Sequence, residues 1–148
     1  MMQEIVFLKA LTATGIHEAG YANNPANRGG PTMYGVTEKT TRAQGYEGNM
    51  RDYPWSLAMA LYYEEYWLKP GWHLIALYGD QLAQALFDAG VNHGTSRAGK
   101  FLQEAINILN RHQAITPNIK VDGSAGVKTH AALQSVQGQS EQRARAVR

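Results

Sequence analysis

The chain has 148 residues and no cysteine. That excludes a disulfide framework, a thiolate nucleophile and a zinc–thiolate centre, and it leaves the redox compartment open. Long apolar runs are missing too. The segment from Met1 to Lys9 has neither a basic start nor an extended apolar core, so it reads as neither a signal peptide nor a membrane span. The expectation is synthesis in the cytoplasm with no stable membrane association. Charge of one sign is scarce: 14 Lys and Arg face 12 Asp and Glu, for a formal net charge of +2 and a pI near 8.9. The positive residues are scattered and no helix carries a basic face, so a nucleic-acid partner is not expected. There is no internal repeat. Gly29-Gly30 and Gly123-x-x-Gly126 lack the preceding strand and Lys-Ser/Thr ending of a phosphate cradle. His17 and His93 have no second ligand at metal spacing, and a capping or hydrogen-bonding role suits each better. No metal and no cofactor are expected.

What remains is an ordinary globular composition, 44% hydrophobic and 18% charged, enough for one domain with two lobes. A period of 3.6 dominates and no clean strand alternation appears, so the fold class is mainly α. The spacing predicts a helix over 3–19 with Phe7, Leu11, Thr14 and Glu18 on one face and a stop at Gly20. It predicts a short helix over 38–44, capped by Thr37 and ended by Gly45. A third helix starts near Asp52-x-Pro54, carries Trp55, Met59, Tyr62, Tyr63 and Tyr66 on one face, and stops at Pro70-Gly71. A helix beginning at Asp80 ends at Asn92-His93-Gly94. The next, from Thr95, places Ala98, Phe101, Leu102, Ala105, Ile106 and Leu109 in a core stripe. The last covers about 125–137, followed by a tail from Gly138 that includes Arg143, Arg145 and Arg148 and is expected to fray.

The stretch from Glu18 to Thr37 carries the chemistry. One carboxylate stands where the first helical pattern ends. On the apolar stripe, beside the negative end of a helix, it would be costly to ionise, which suits a general acid. The loop that follows is rich in Gly, Asn and Pro and returns through Thr32, Tyr34 and Thr37 as a loop or small hairpin. Glycosidases normally flank the scissile bond with two carboxylates, about 5–5.5 Å apart for retention or about 6.5–9.5 Å for inversion. This loop has no Asp or Glu before Glu38. Asn27 occupies its middle, and an amide orients water but takes no proton from it. Among the aromatics, most of Tyr62, Tyr63, Tyr66 and Trp67 read as core, while Trp72, just past a helix end, is the expected cleft-facing ring.

The residues Glu18-Ala-Gly-Tyr21, Asn23-x-Pro25-Ala26 and Gly29-Gly30-x-Thr32-x-Tyr34-Gly35-Val36-Thr37 resemble the signature of the glycoside hydrolase family 108 N-acetylmuramidases. These are lysozyme-like proteins of phages, prophages and Gram-negative bacteria, some described as secretion activators. Tyr62…Tyr66-Trp67 is similar to that family's tyrosine-rich helix. Phe87-Asp-Ala-Gly-Val-Asn92-His-Gly94, Leu102-Gln103 and Val121-Asp-Gly123…Gly126…Thr129 resemble the peptidoglycan-binding segment that follows it. The resemblance covers about residues 5–135. It implies a lysozyme-like helical fold, with a catalytic lobe over 1–76, a helical peptidoglycan-binding lobe over 77–138 and a tail over 139–148. It also implies cleavage of the β-1,4 bond between N-acetylmuramic acid and N-acetylglucosamine, with Glu18 as catalytic acid. Tyr21, Tyr34 and Trp72 are the expected substrate-binding residues.

Two positions depart from the family pattern. Ala19 replaces a glycine. Asn27 stands where the family usually has Asp, the residue that, with the Thr matching Thr32, would position the attacking water. With Asn27, Thr32 and Tyr34 the water keeps its orientation but lacks a base, so a slower enzyme, or one that depends on another carboxylate, is expected. The competing reading is a non-catalytic peptidoglycan-binding or secretion-helper protein. On the enzymatic reading the partner is the glycan strand, the protein is a monomer, and it reaches the cell wall as an endolysin through a holin-type or other release.

Overall fold

A computed structural model describes residues 1–111 and 113–146, and of Arg143 the backbone alone. Helix α1 (Met2–Ala13) buries Val6, Phe7, Ala10 and Leu11, the spacing of one apolar stripe. It ends five residues before Glu18. Gly15 takes φ 69°, a left-handed conformation that terminates the helix at little steric cost. Ile16–Glu18 then forms a single 3₁₀ turn, pinned by buried Ile16. The expected helix over 3–19 is therefore shorter, and Glu18 does not lie on the α1 stripe.

The chain next runs out and back as a hairpin. Strands β1 (Thr32–Met33) and β2 (Val36–Thr37) pair antiparallel, with Thr32 opposite Thr37 and Met33 opposite Val36. The two turn residues, Tyr34 and Gly35, have φ of 52° and 74°, the double positive φ of a type I′ turn that matches strand twist. Thr37 caps α2 (Glu38–Ala43) by accepting from the Thr40 N–H at 3.3 Å, and Gly45 follows that helix at φ 87°, both as the sequence predicts.

Helix α3 (Trp55–Leu61) does not continue as an ordinary helix. It widens into a π-helical segment over Tyr62–Leu68, marked by the Lys69 N–H donating to Glu64 O at 3.0 Å. The additional residue per turn rotates the face, so Tyr62 and Trp67 are buried while Tyr63 and Tyr66 are only half-buried. Pro70 and Gly71 stop it, and α4 (Trp72–Ile75) leads to α5 (Asp80–His93). Gly94, at φ 92°, turns the chain into α6 (Thr95–Leu109). Helix α7 spans Val127–Ala146. It passes Gly138 and continues beyond the expected end at 137, because the Gln, Glu, Arg and Ala that follow are strong helix formers and one glycine costs only about 1 kcal/mol. Of the basic tail cluster, Arg145 is exposed, while the Arg143 side chain and Arg148 lie outside the described residues.

One hydrophobic cluster runs from Val6 to Val136, with α1 and α6 both packed on α5. It crosses the expected lobe boundary between 76 and 77. Its centre is aromatic: the Phe7 ring lies 4.9 Å from Tyr63, 5.9 Å from Trp67 and 5.7 Å from Phe87. On α6 the buried residues are Ala98, Gly99, Leu102, Gln103 and Ile106, whereas Phe101 and Leu109 are 44% and 58% exposed. The predicted stripe is thus rotated toward a glycine and a glutamine. Gly99 has no room for a Cβ because the Gly123 backbone lies against it. Gln103 holds the same loop through its whole amide. Its oxygen accepts from Asp122 N–H at 3.0 Å and Gly123 N–H at 2.8 Å; its nitrogen donates to Asp122 Oδ1, Ser124 O and Thr129 Oγ1.

Replacing Gln103 by Leu leaves these loop donors and acceptors without partners, at about 1–3 kcal/mol each where buried. The expected outcome is a clear drop in Tm by thermal denaturation. Asp122 adds a pH dependence. The Gln103 side chain and the Ser124 N–H hold its carboxyl below the usual range. A depressed folded value stabilises the fold above the unfolded pKa, and this contribution disappears as pH falls through the folded value. The Tm gap between wild type and Asp122→Asn therefore narrows in acid.

A candidate active-site cleft beside Glu18

The turn after α1 sets Glu18 in the wall of an open cleft of about 500 Å³, which Leu8, Leu11, His17, Trp55 and Met59 also line. Glu18 is exposed, and among the described residues its carboxylate makes no hydrogen bond and no ion pair; the ion-paired acids are Glu4, Glu38 and Glu65. The apolar cover expected from a place on the helix stripe is not supplied by the chain. Among the described residues it is also the sole acid lining this cleft.

Three rings gather beside it. His17 and Tyr34 lie parallel, 8° apart in plane with centroids 6.0 Å apart. Both stand across Trp55, His17 at 4.6 Å and 75°, Tyr34 at 5.1 Å and 68°. Edge-to-face pairs of this kind fix ring planes and contribute about 0.5–1.5 kcal/mol each.

The hairpin is tied to the turn and to the helical body. The Tyr34 N–H donates to Ala19 O at 2.9 Å, and Ala22 and Thr32 exchange backbone bonds of 3.0 and 2.8 Å. From behind, the Tyr62 hydroxyl donates to Tyr34 O at 2.9 Å, and a Cβ on Gly35 would meet that hydroxyl. Burial pushes the Tyr62 phenol well above its ordinary value, helped by Tyr66 and Tyr53, so it remains a neutral donor.

The Asn/Gly loop is held by its own amides. Asn24 Oδ1 accepts from Ala26 N–H, and Asn27 Oδ1 accepts from Gly29 N–H at 3.2 Å. Gly29 is required because a Cβ there would come within 2.7 Å of Thr37 Cβ. The Asn27 NH₂ group makes no hydrogen bond among the described residues. Thr32 is half-buried and faces Ala22 across the bridge. No hydrogen bond joins Glu18 to Asn27 or Thr32. Tyr34 therefore stands beside the acid, while Asn27 and Thr32 belong to the loop and hairpin beyond it. Tyr21 is half-buried with the Arg51 guanidinium 4.0 Å above its ring.

Trp72 requires a correction. It is 0% exposed and sits in the core, where a Cβ on Gly90 would approach its Nε1 to 3.7 Å. Helix α4 turns it under α5, so it cannot meet a ligand in the cleft. The cleft tryptophan is Trp55. Its i, i+4 spacing to Met59 was legible, but the same spacing describes a core stripe. Among the described residues, no three His, Asp or Glu side chains converge as a metal site, and no helix is long and apolar enough to cross a membrane.

The family profile described as Glycosyl hydrolase 108 matches residues 11–94. The chain belongs to this family of glycoside hydrolases. The family-108 match begins inside α1, takes in Glu18, the whole hairpin and Trp55, and runs through α5 to Gly94. The chain is also similar to the solved structure of Brucella abortus SagA, with 27% identity and a TM-score of 0.63 over 88% of this chain and 70% of that one. No curated protein matches. One acid in an aromatic cleft beside a hydrogen-bonded polar loop is an arrangement that can donate a proton to a glycosidic oxygen and orient water.

Tyr62→Phe removes the bond to Tyr34 O while keeping the ring. The expected cost is about 1 kcal/mol, read as a lower Tm with faster amide exchange confined to the 32–37 hairpin.

Proposed function

We propose that this family-108 glycosidase is a muramidase that cleaves the β-1,4 bond between N-acetylmuramic acid and N-acetylglucosamine in peptidoglycan. The observation that carries the reading is the exposed, unpartnered Glu18 carboxylate in the wall of an aromatic cleft, inside the span matched to the family. In its acid form Glu18 protonates the glycosidic oxygen as the bond to the anomeric carbon breaks. A glycan lying in the cleft supplies the apolar cover that the free chain does not. Asn27 and Thr32 orient the water, Asn27 through the NH₂ group left over from its turn and Thr32 through its hydroxyl. Inversion at the anomeric carbon follows if that water attacks from the face opposite Glu18. The proposal extends to an endolysin-like role, with the monomeric protein acting on the cell wall after a holin-type or other release.

Asn27 supports a second reading. The loop has no carboxylate to take the proton from water, so the protein would bind peptidoglycan, or assist secretion, with little or no hydrolysis.

Clearing of outer-membrane-stripped cells, with mass analysis of released muropeptides, tests the first reading. Glu18→Gln is expected to cost about 10²–10⁴-fold in rate; equal activity of the two proteins would sink the assignment. Asn27→Asp preserves the acceptor for Gly29 N–H and adds a base, so the rate is expected to rise about tenfold or more. No gain would mean that the water is handled elsewhere. Co-sedimentation with sacculi without soluble reducing ends would favour the binding protein.

A further inference from the structure

We infer that Trp55 is the ring on which the glycan stacks, and that His17 and Tyr34 hold the indole in place for that purpose. This rests on the proposed glycan substrate. The chain has three tryptophans. Trp67 and Trp72 are both 0% exposed and belong to the core. Trp55 alone is half-buried and lines the cleft that contains Glu18. It is the first residue of α3, and the preceding 3₁₀ turn, Met50–Asp52, packs against β1. The ring is therefore fixed between the hairpin and the helical body.

Its surroundings match a sugar. Leu8, Leu11 and Met59 give the cleft an apolar wall that the axial C–H face of a pyranose or an acetamido methyl can cover, while the sugar hydroxyls remain toward water. The two parallel rings meeting Trp55 at 75° and 68° restrict its rotation. A prearranged platform loses little side-chain entropy on binding, and that is where an aromatic contact contributes most to affinity. The cleft extends from Glu18 toward α1 and α3, whereas Asn27 and Thr32 lie toward the hairpin.

The test uses the full chain in the Glu18→Gln background, in which turnover is expected to be slow enough for binding to be read. The ligands are sacculi in sedimentation and chitotetraose in fluorescence titration. Because the other two indoles are buried, chitotetraose should shift and quench the emission of Glu18→Gln, and Trp55→Phe should abolish that change. Trp55→Phe should retain binding within a few fold, while Trp55→Ala should weaken it about tenfold or more per folded molecule. In the active chain, Trp55→Ala should raise KM more than it lowers kcat. If Glu18→Gln binds sacculi and Trp55→Ala binds equally well, or if quenching persists in Trp55→Phe, the stacking role is overturned while the glycan substrate stands. If Glu18→Gln binds neither ligand, the substrate reading itself fails. A Tm drop in Trp55→Ala with undiminished binding per folded molecule assigns the residue to structure and overturns the inference.

Discussion

Phe7 among Tyr63, Trp67 and Phe87 is the contact on which the rest of the molecule depends. Two elements distant in sequence bring three rings to within about 6 Å of it, and none of those rings could be packed by its own helix alone. The contact clamps α1 onto α5 and onto the widened helix. Once α1 is fixed, its last turn is fixed, and with it the position of the 3₁₀ turn that ends in Glu18. The acid is exposed, but the backbone beneath it is anchored through buried Ile16.

The π-helical segment does two things. It delivers Trp67 into the aromatic centre, and it turns the Tyr62 hydroxyl onto the carbonyl of Tyr34. An ordinary helix over the same residues would present a different set of side chains, because the face rotates by about one residue where the turn widens. Tyr62 thereby links the core to the hairpin tip, Tyr34 links the tip to Ala19 and to the rings of His17 and Trp55, and the cleft inherits the rigidity of the core. Rigid support of this kind suits a site whose acid must meet one bond in one orientation. In the distal part of the chain Gln103 plays a similar part, its single amide closing the loop over 122–124 onto α6 and α7.

Much of the local structure was legible in the chain itself. Thr37 before Glu38 announced a capped helix, Gly45, Gly71 and Gly94 marked the breaks, and the Gly-rich return through Thr32 and Tyr34 read as a loop or small hairpin. The misreadings have a common cause. The stripe Phe7, Leu11, Thr14 and Glu18 is a genuine periodicity, but Gly15 halts the helix inside it, and nothing local said that Gly15 rather than Gly20 would take positive φ. On α6, Phe101 and Leu109 looked like core, yet the helix turned toward Gly99 because the backbone of a loop more than twenty residues away had to approach it. Trp55 and Trp72 were indistinguishable by composition, and only the packing of α4 under α5 separated them.

The sequence by itself determined the helical class, the breaks and caps, the family motif, and the pairing of one acid with an Asn-bearing loop. These are short-range properties, set by φ preferences, capping and side-chain period. The tertiary structure alone decided that Glu18 is open to water, that Asn27 gives its oxygen to Gly29 while its NH₂ has no partner among the described residues, and that Trp55 rather than Trp72 faces the cleft. Exposure and partnership depend on which remote surfaces come together, and a residue's neighbours in sequence do not fix that.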